Sequence, residues 1–331
     1  MYWHFFGIWA ILLLGRAEPT LTRYEFIEPH MGTHFRILLY APDRSTARKA
    51  AADAFARIAS LNAIMSDYDN TSELMRLCAQ AGGPPIPVSA ELFFVLSKAQ
   101  EVSRQSGGAF DVTVGPLVKL WRAARKRHKL PDREKLAAAR ALVGWQNVRL
   151  DKDKRTVQLL KAGMQLDLGG IAKGYAADEA LAVLKKHGID RALVAAGGDI
   201  AVSGPPPGTE GWKIAIATLP GEKDPGRLIL QQAAVSTSGD AEQFVEIDGK
   251  RYSHIVDPRT GVGLIGRMSA TVVAGHGIDA DSLTKVVAVL GPEGIKIVEA
   301  YPGASARLVR KKGDQFETFL SKHFPKLHPV Q

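Results

Sequence analysis

Apolar residues recur at helical spacing in the first half of the chain, whereas much of the second half alternates apolar and polar residues as strands do. The alanine-rich stretch 43–65 predicts a helix with Asp43 or Ser45 as its N-cap. A second helix is predicted over 89–108, capped by Ser89 and ended by a glycine pair. Further helices are predicted over 132–144, 170–188, 279–291 and 292–303.

Short aliphatic and β-branched runs predict the strands, which lie over 31–42, 147–160, 191–204, 212–219, 227–239, 243–256 and 305–310. Asp248-Gly249 stands between alternating residues and predicts a tight hairpin. That hairpin is expected to bring residues 236–240 close to residues 254–261. Helices dominate early and strands late, so the pattern indicates an α+β protein.

The N-terminus has an apolar run from Phe5 to Leu14, followed by the small-x-small sequence Gly15-Arg16-Ala17. This pattern resembles a secretory signal peptide over residues 1–17, although Lys and Arg are absent before the apolar run. Residues 18–331 are then expected to form the exported domain. No segment after residue 17 has the length of a transmembrane helix, so a soluble or peripherally attached protein is expected.

The composition is that of a globular protein, with 331 residues, 46% hydrophobic and 23% charged. The formal net charge of +9 favours anionic partners such as phosphates, nucleotides or membrane surfaces. The basic block 124–129 is better explained as a solvated helix end than as a nucleic-acid patch, so no nucleic acid is expected. The one cysteine, Cys78, excludes an internal disulfide and a thiolate metal cluster.

A glycine turn between a strand and a helix is the first candidate for binding chemistry. In the sequence "LDLGGIAKGYAADEAL", Gly169 and Gly170 precede a helix start, where backbone N–H groups and the dipole favour an anion. Lys173 adds a positive charge. The spacing is neither a Walker A loop nor G-x-G-x-x-G, and a tight turn with a solvated lysine explains it equally well.

Two loops combine aromatic rings with carboxylates. Phe110 and Asp111 follow a glycine pair and could hold a heterocycle, although Asp111 is slightly better explained as a helix cap. Tyr68, between two aspartates, could stack on a flat ring. For its neighbours Asp69 and Ser72, helix capping is the favoured interpretation.

Two further segments carry acid–base or metal-binding groups. Asp279 and Asp281 lie at a predicted helix start, where capping is favoured over a hard-cation site. His254 precedes the turn sequence Asp-Pro-Arg-Thr-Gly and could act as a general base toward a hydroxyl. A structural histidine is the commoner explanation for a residue of this kind.

Taken together, the motifs resemble those of the ApbE-type FAD:protein FMN transferases. The resemblance extends from Met31 to Gly291 and is carried by "MGT", "MSDYDNTSEL", "GGAFDVTVGPL", "LDLGGIAKGYAAD", "STSGD", "SHIVDPRTG" and "DADSLTK". It implies a two-lobed α+β fold with mixed sheets and FAD in the cleft between the lobes. It also implies that Mg²⁺ assists the transfer of FMN from FAD to a Thr or Ser hydroxyl, with release of AMP.

The resemblance implies a partner and a location as well. The acceptor would be a flavoprotein subunit of a membrane redox complex, exposed in the periplasm or on the outer face of the bacterial inner membrane. The enzyme itself would be peripheral to that membrane. This location agrees with the signal peptide predicted above.

The family's functional residues can be placed on this chain one by one. His254 would lie beside the scissile phosphate, and Asp281 would bind Mg²⁺ together with the backbone carbonyl of Ala172. The cofactor-binding residues would be Met31, Tyr68, Ala109, Phe110, Asp111, Gly169, Gly170, Lys173 and Ile255.

Two positions depart from the family pattern. Lys285 stands where many members have a metal-binding threonine, and Thr284, one residue earlier, is expected to point about 100° away on a helix. Ala241 stands where an aromatic residue is common. The Lys285 ammonium could supply positive charge in place of a metal bond or could repel the cation, and it lends weight to an FAD-binding carrier as an alternative. An FAD pyrophosphatase with the same site and no protein acceptor is a second alternative.

Overall fold

The computed structural model describes residues 20–239 and 244–329, so the predicted signal peptide and Ala241 lie outside the described residues. The helices are α1 Arg44–Met65, α2 Glu73–Ala79, α3 Ala90–Gln105, α4 Gly115–Arg127, α5 Arg133–Ala141, α6 Ala172–Lys186, α7 Gly277–Leu290 and α8 Pro292–Glu299. Short 3-10 helices span Val112–Val114 and Trp145–Asn147. The strands are β1 Thr22–His30, β2 Thr33–Ala41, β3 Ile86–Pro87, β4 Val148–Asp151, β5 Thr156–Leu159, β6 Ala192–Ala196, β7 Asp199–Val202, β8 Trp212–Ala215, β9 Arg227–Leu230, β10 Ala233–Gly239, β11 Phe244–Ile247, β12 Lys250–Val256, β13 Gly263–Ile265, β14 Met268–Ala274, β15 Ser305–Lys312 and β16 Gln315–Leu320.

An eight-stranded sheet in the order β1-β2-β6-β7-β10-β14-β15-β16 forms the centre of the fold. Smaller sheets contain β11-β12-β13, β3-β5-β4 and β8-β9. Every strand pair in the described ranges is antiparallel. The α+β class is confirmed, but the sheets are antiparallel rather than mixed, because tight hairpins join several neighbouring strands and reverse the chain.

Two of these hairpins share one backbone conformation, and one of the two was predicted from the sequence. Met31 and Gly32 join β1 to β2 with φ values of 49° and 73°. Asp248 and Gly249 join β11 to β12 with φ values of 51° and 71°. Positive φ at both central residues is typical of the type I′ turn, whose twist matches that of antiparallel strands. The predicted Asp-Gly hairpin is therefore confirmed.

The main core lies between the eight-stranded sheet and a layer of helices that includes α1, α6, α7 and α8. On β2 the alternate residues Phe35, Ile37 and Leu39 are fully buried in this core. Leu38 and Tyr40 point to the opposite face, where they pack with the β8–β9 hairpin in a second core. This alternation places helices on one face of the sheet and a short hairpin on the other.

A smaller, separate core joins α4 and α5 to β11 and β12. Leu117 and Trp121 of α4 pack with Tyr252 and Val256 of β12. The Trp121 indole N–H donates to the carbonyl of Gly261 at 2.9 Å, which fixes the turn after β12 to this core. Across the described ranges, no helix has both the length and the apolar character needed to cross a membrane.

Helices α6 and α7 cross at a pair of glycines. A Cβ at Gly174 would lie 2.0 Å from the carbonyl oxygen of Gly277, and a Cβ at Gly277 would lie 2.4 Å from that of Gly174. No side chain fits at distances this short. The glycine pair therefore allows the two backbones to approach closely, and this contact positions the candidate site.

Candidate functional site

A cluster of charged and hydroxyl side chains lies where α6 and α7 meet β7 and β10. Lys173 stands in the first turn of α6, and Asp281 lies on α7. Asp199 is the first residue of β7, directly after the Gly197-Gly198 turn. Ser236 and Ser238 on β10 and Thr284 and Lys285 on α7 complete the cluster. Long-range packing, not local sequence, thus assembles it.

The two carboxylates of the cluster are sealed from solvent and each meets an ammonium. Lys173 Nζ lies 2.7 Å from Asp199 Oδ2 and 3.8 Å from Asp281 Oδ2. Lys285 donates to Asp281 Oδ1, and its Nζ lies 3.2 Å from Thr284 Oγ1. The Asp281 side chain is 0% exposed, whereas those of Lys173 and Lys285 are 24% and 18% exposed. The positive groups are therefore the accessible part of the cluster.

The hydroxyl groups hold the carboxylates in place. Ser236 Oγ donates to Asp199 Oδ1 at 2.5 Å. Ser238 Oγ donates to Thr284 Oγ1 at 2.9 Å, and Thr284 in turn donates to the backbone carbonyl of Asp281 at 2.7 Å. These bonds link β10 to β7 and to α7 through buried polar groups, so that none of these groups is left without a partner.

The pKa values follow from this pairing. Burial lowers the pKa of Lys173, but the carboxylates of Asp199 and Asp281 outweigh that effect and raise it. Burial likewise raises the pKa of Asp199, yet the nearby ammonium groups of Lys173 and Lys285 hold it below its ordinary value. Lys173 and Asp199 are therefore both charged at neutral pH.

Thr284 does not point away from the site, and this corrects the prediction from helix geometry. Thr284 is fully buried and its hydroxyl lies in the same cluster as Asp281. The long side chain of Lys285 brings its ammonium to within 3.2 Å of that hydroxyl. The angle between successive helical residues fixes the Cβ directions, but not where a long side chain ends.

Asp279 and Asp281 do not cap α7, contrary to the favoured interpretation of the sequence. Asp178 of α6 caps this helix instead, accepting from Gly277 N at 2.7 Å and from Ile278 N at 3.0 Å. Asp279 lies 3.2 Å from Lys98 of α3. The glycine contact between α6 and α7 brings Asp178 to the helix end, and no pattern within one segment could reveal such a cap.

The glycine turn before α6 is present, but its glycines do not have the left-handed backbone conformation that often requires glycine in a turn. Neither Gly169 nor Gly170 is among the glycines with positive φ. A Cβ on Gly170 would lie 3.3 Å from two carbons of the Lys285 side chain. Gly170 therefore makes room for Lys285, while Gly169 N donates to Asp167 Oδ1 at 2.8 Å. Ala172 is buried at the start of α6.

Tyr68 lies at the outer edge of this region and is 76% exposed. The Arg122 guanidinium lies 4.2 Å from the centre of its ring, and the same guanidinium pairs with Asp67 and Asp167. Asp167 precedes the glycine turn by two residues, so Arg122 ties the Tyr68 loop to that turn. An exposed ring held by a cation can stack on a planar ligand.

The carboxylate of Asp111 is occupied by the protein itself. Its Oδ1 accepts from the N–H and the hydroxyl of Thr113, and its Oδ2 accepts from Trp145 N at 2.8 Å. Burial raises the pKa of this carboxyl. Asp111 does cap a helix, but it is the short 3-10 helix Val112–Val114 and not the expected helix at Gly115-Pro116, since α4 begins without a side-chain cap. Asp111, Ala109 and Phe110 are all buried. Their contact with a nucleotide stays a prediction.

Ser72 also caps as predicted, accepting from Met75 N at 3.1 Å at the start of α2. Asp69 does not cap this helix, contrary to the favoured interpretation, because its carboxylate accepts from Thr71 N at 2.8 Å in the preceding loop. Met31, by contrast, lies half-buried at the tip of the β1–β2 hairpin. Its contact with FAD stays a prediction.

His254 lies on β12, half-buried, next to the buried Ile255. The following turn is held by Asp257, which accepts two side-chain bonds from Arg259 at 3.0 and 2.9 Å. Strand β12 contacts both α4 and α7. Phe244 pairs with Ser253, so the hairpin returns the chain beside His254. The approach of residues 236–239 to His254 and the catalytic role of this histidine stay predictions.

The predicted metal ligand Asp281 is surrounded by hydrogen-bond donors of the protein. Asp281 Oδ1 accepts from Lys285, and Oδ2 accepts from Gly174 N at 3.1 Å. A protonated ammonium donates and cannot ligate a cation. Among residues 20–239 and 244–329, no group of three or more His, Cys, Asp or Glu is arranged to hold a metal ion. The set of Ala172, Asp281 and Lys285 therefore does not fit a divalent cation in this arrangement.

Sequence reasoning missed Asp199 as a site residue. Its only local signal is the position directly after Gly197-Gly198, where a buried strand begins with a charged residue. A buried charge requires a partner, and here that partner is Lys173. The serines of β10 lie in a segment with a recognised motif, but their bonds to Asp199 and Thr284 depend on residues far away in the chain.

Comparison with known proteins gives a consistent result. The ApbE family model matches residues 31–308. FAD:protein FMN transferases of Klebsiella pneumoniae and Treponema pallidum are 30% and 32% identical to this chain. Each alignment covers 93% of this chain, and 90% and 91% of the respective relative.

Solved structures agree with the sequence matches. The flavinyl transferase ApbE of Pseudomonas stutzeri superposes with a TM-score of 0.81 at 30% identity, covering 91% of this chain and 95% of that one. The flavin transferase ApbE of Vibrio cholerae gives a TM-score of 0.80 at 29% identity, covering 92% and 98%. The likeness therefore includes nearly the whole of each chain.

Proposed function

The chain belongs to the ApbE family, and on that premise we propose that it is an enzyme that transfers FMN from FAD to a partner protein. FMN transfer from FAD to a protein is the activity named in the relatives that match about nine-tenths of this chain. We propose further that the acceptor is a Thr or Ser hydroxyl, that the product is a phosphoester, and that AMP is released.

The observation that carries this proposal is the pair of accessible ammonium groups, Lys173 and Lys285, above two sealed carboxylates. A pyrophosphate is a dianion or more, and two partly desolvated cations beside a helix N-terminus provide the complementary charge. Since Asp199 and Asp281 are paired and buried, the two lysines are held in fixed positions before the ligand arrives. Such preorganisation is what stabilises developing charge on phosphate oxygens.

The proposed reaction is an in-line displacement at the FMN phosphorus of FAD. The acceptor hydroxyl oxygen forms a bond to that phosphorus, and the bridging P–O bond to the AMP phosphate breaks. AMP leaves with the bridging oxygen, and the hydroxyl proton passes to a base. His254 is proposed as that base or as the group that orients the phosphate, because a weak alcohol nucleophile requires one.

Resemblance to the family predicts Mg²⁺ as a cation at Asp281. Here Lys285 donates to that carboxylate. In the proposed reaction the ammonium groups of Lys173 and Lys285 therefore lie opposite the pyrophosphate and supply the positive charge.

We propose that the acceptor is a flavoprotein subunit of a membrane redox complex, and that the enzyme acts in the periplasm or at the outer face of the inner membrane. The apolar N-terminal segment followed by Gly15-Arg16-Ala17 supports export. The enzyme would be peripheral to the membrane. An acceptor exposed on that side of the membrane would meet it without crossing the bilayer.

The decisive experiment mixes the purified mature chain with FAD and an acceptor domain that carries a Thr site, and measures AMP and acceptor mass. A transferase releases AMP and adds the mass of FMN to the acceptor. An FAD pyrophosphatase would release AMP with free FMN and leave the acceptor unmodified. An FAD-binding carrier would release no AMP.

The proposed role of His254 is tested in the same assay. His254→Gly is expected to lower the rate of FMN transfer by about 10²- to 10⁴-fold while FAD still binds, because the base is lost and the anion site remains. His323→Gly, at an exposed position near the C-terminus, serves as the matched control and should transfer at the normal rate. Unchanged transfer by His254→Gly would assign His254 a structural role.

A further inference from the structure

Lys285 takes up the oxygen atoms that a cation at Asp281 would use. Its ammonium donates to Asp281 Oδ1 and lies 3.2 Å from Thr284 Oγ1. The other oxygen of the carboxylate accepts from Gly174 N and faces Lys173 at 3.8 Å. Carboxylate and hydroxyl oxygens are the hard ligands that Mg²⁺ prefers. Protein donors therefore contact both oxygens of the Asp281 carboxylate.

The charges of the cluster also balance without a metal. Asp199 and Asp281 contribute two negative charges, and Lys173 and Lys285 contribute two positive charges. A divalent cation placed among these groups would meet two ammonium groups at short range. Like charges a few ångströms apart repel strongly where water is scarce.

The fold makes room for Lys285. A Cβ on Gly170 would lie 3.3 Å from two carbons of the lysine side chain, so the glycine turn accommodates its aliphatic part. The side chain remains 18% exposed, which leaves the ammonium within reach of a ligand. An ammonium has three N–H donors, of which Asp281 and Thr284 take two. The third can meet a phosphate oxygen.

We propose that the Lys285 ammonium supplies the positive charge at Asp281, so that FMN transfer by this chain does not require a divalent cation there. The inference rests on the proposed function and specifies what neutralises the pyrophosphate. Lys285 acts directly on the phosphate oxygens, and Asp281 with Thr284 holds the ammonium in position. Lys173 provides the second charge from the other side.

The first measurement compares FMN transfer in Mg²⁺ with FMN transfer in excess EDTA. We expect the wild-type rates to agree within about twofold, because a fixed ammonium replaces the cation. Lys285→Thr replaces the ammonium with a hydroxyl. We expect the rate of this variant to fall about 100-fold or more in EDTA and to recover in Mg²⁺.

Binding of Mn²⁺ gives a readout that is independent of activity. Titration of the FAD-free protein, followed by electron paramagnetic resonance, should show no specific Mn²⁺ site in the wild type and one site in Lys285→Thr. Lys285→Arg keeps the positive charge and should remain active in EDTA. Lys296→Thr, an exposed lysine on α8, is the matched control and should behave as the wild type.

Wild-type transfer that disappears in EDTA and returns with Mg²⁺ would overturn the inference and leave the transferase function intact. A stoichiometric Mn²⁺ site in the wild type would overturn it as well. If no variant modifies the acceptor under either condition, the proposed function itself fails, and the Mn²⁺ titration still decides whether Lys285 takes the place of a cation. Thermal unfolding of each variant identifies a folding defect.

Discussion

Helix α6 carries charged residues on two faces, and the two faces use them differently. Toward α1 and α3, Glu179 pairs with Arg57, which also reaches Glu91 on α3. Toward α7, Lys173 and Asp178 meet the sealed carboxylate of Asp281 and the helix N-terminus. One face joins helices to one another, and the other builds the candidate site.

The exposure of the charged groups explains this difference. On the Arg57 face the arginine and both glutamates are similarly exposed, at 25%, 27% and 29%, and the planar guanidinium is satisfied by its partners. On the Lys173 face the carboxylates of Asp199 and Asp281 are buried, whereas the ammonium groups of Lys173 and Lys285 are partly exposed. The cluster around Lys173, whose ammonium groups are its most exposed part, can bind an anion. The Arg57 guanidinium, paired with two glutamates of similar exposure, mainly stabilises the packing of the helices.

The largest stability effect is expected on the Lys173 face. Lys173→Met leaves the buried carboxylate of Asp199 without its ammonium and should lower the free energy of unfolding by about 3–5 kcal/mol. Urea unfolding followed by circular dichroism measures the change. Lys173→Arg, which keeps the charge, is the control and should lose less. A loss for Lys173→Met as small as that of a surface pair would contradict the idea that the site charges are desolvated.

The Asp178 cap should give this face a distinctive pH dependence. Burial raises the pKa of Asp178 from 3.8 to about 6, despite hydrogen bonds from Gly277 and Ile278 that lower it. The folded state then holds a proton that the unfolded state has released, so the free energy of unfolding should fall by about 2–3 kcal/mol as pH rises from about 4 to about 6.

Unfolding free energies at several pH values between 4 and 7 test this expectation. Asp178→Asn should abolish the fall. Asp43→Asn is the comparison at the start of α1, where the backbone bond from Thr46 lowers the pKa of Asp43. Asp43 stabilises the folded state above its ordinary pKa, and this stabilisation is lost as the pH falls. The pH dependence due to Asp43 therefore has the opposite sign to that due to Asp178. If the free energy of unfolding changed with pH equally in the wild type and in Asp178→Asn, the raised pKa of Asp178 would be ruled out.

Removing the arginine from the opposite face should cost less. Arg57→Met should lower the free energy of unfolding by about 1–2 kcal/mol, because Glu91 and Glu179 remain partly hydrated when their partner is lost. FMN transfer by the folded variant should stay normal, which urea unfolding and the acceptor-mass assay together check. A transfer defect in folded Arg57→Met would remove the distinction between the two faces.

The smallest stability effect is expected at Tyr68, where the ring is exposed above Arg122. Tyr68→Ala should change the free energy of unfolding by less than about 0.5 kcal/mol. It should nevertheless weaken FAD binding by about three- to tenfold, since a stacking surface is lost. Fluorescence titration of FAD measures this. Arg122→Lys keeps a cation and is the control, and unchanged affinity in Tyr68→Ala would exclude stacking on the flavin or adenine.

Local sequence determined most of the long helices, the caps of α1, α2 and α3, and the Asp248-Gly249 hairpin. The predicted caps Asp43, Ser72 and Ser89 accept from backbone N–H groups three residues further on. The Asp248-Gly249 turn requires only its own two residues and the flanking strands. These features depend on neighbours within a few positions, and for that reason a pattern of residue types predicts them.

Strands β1 and β16 at the two edges of the main sheet were not predicted. Their registers depend on pairing with β2 and β15, and neither strand contains a fully buried residue. An edge strand has one neighbour and little apolar periodicity, so its sequence resembles that of a loop. The neighbouring strand, rather than composition, decides that it forms.

Motif resemblance identified the family from sequence alone, and it singled out Lys173, Asp281 and Lys285, which the structure brings into one cluster. Tertiary structure decided that Asp178 caps α7 and that Asp199 pairs with Lys173, whereas Lys285 contacts Asp281 because the two residues lie four positions apart on α7. The bond between Gly174 and Asp281 joins residues 107 positions apart. Such contacts exist because two glycines let α6 and α7 touch, and the burial that results turns ordinary charged residues into a fixed array of paired charges.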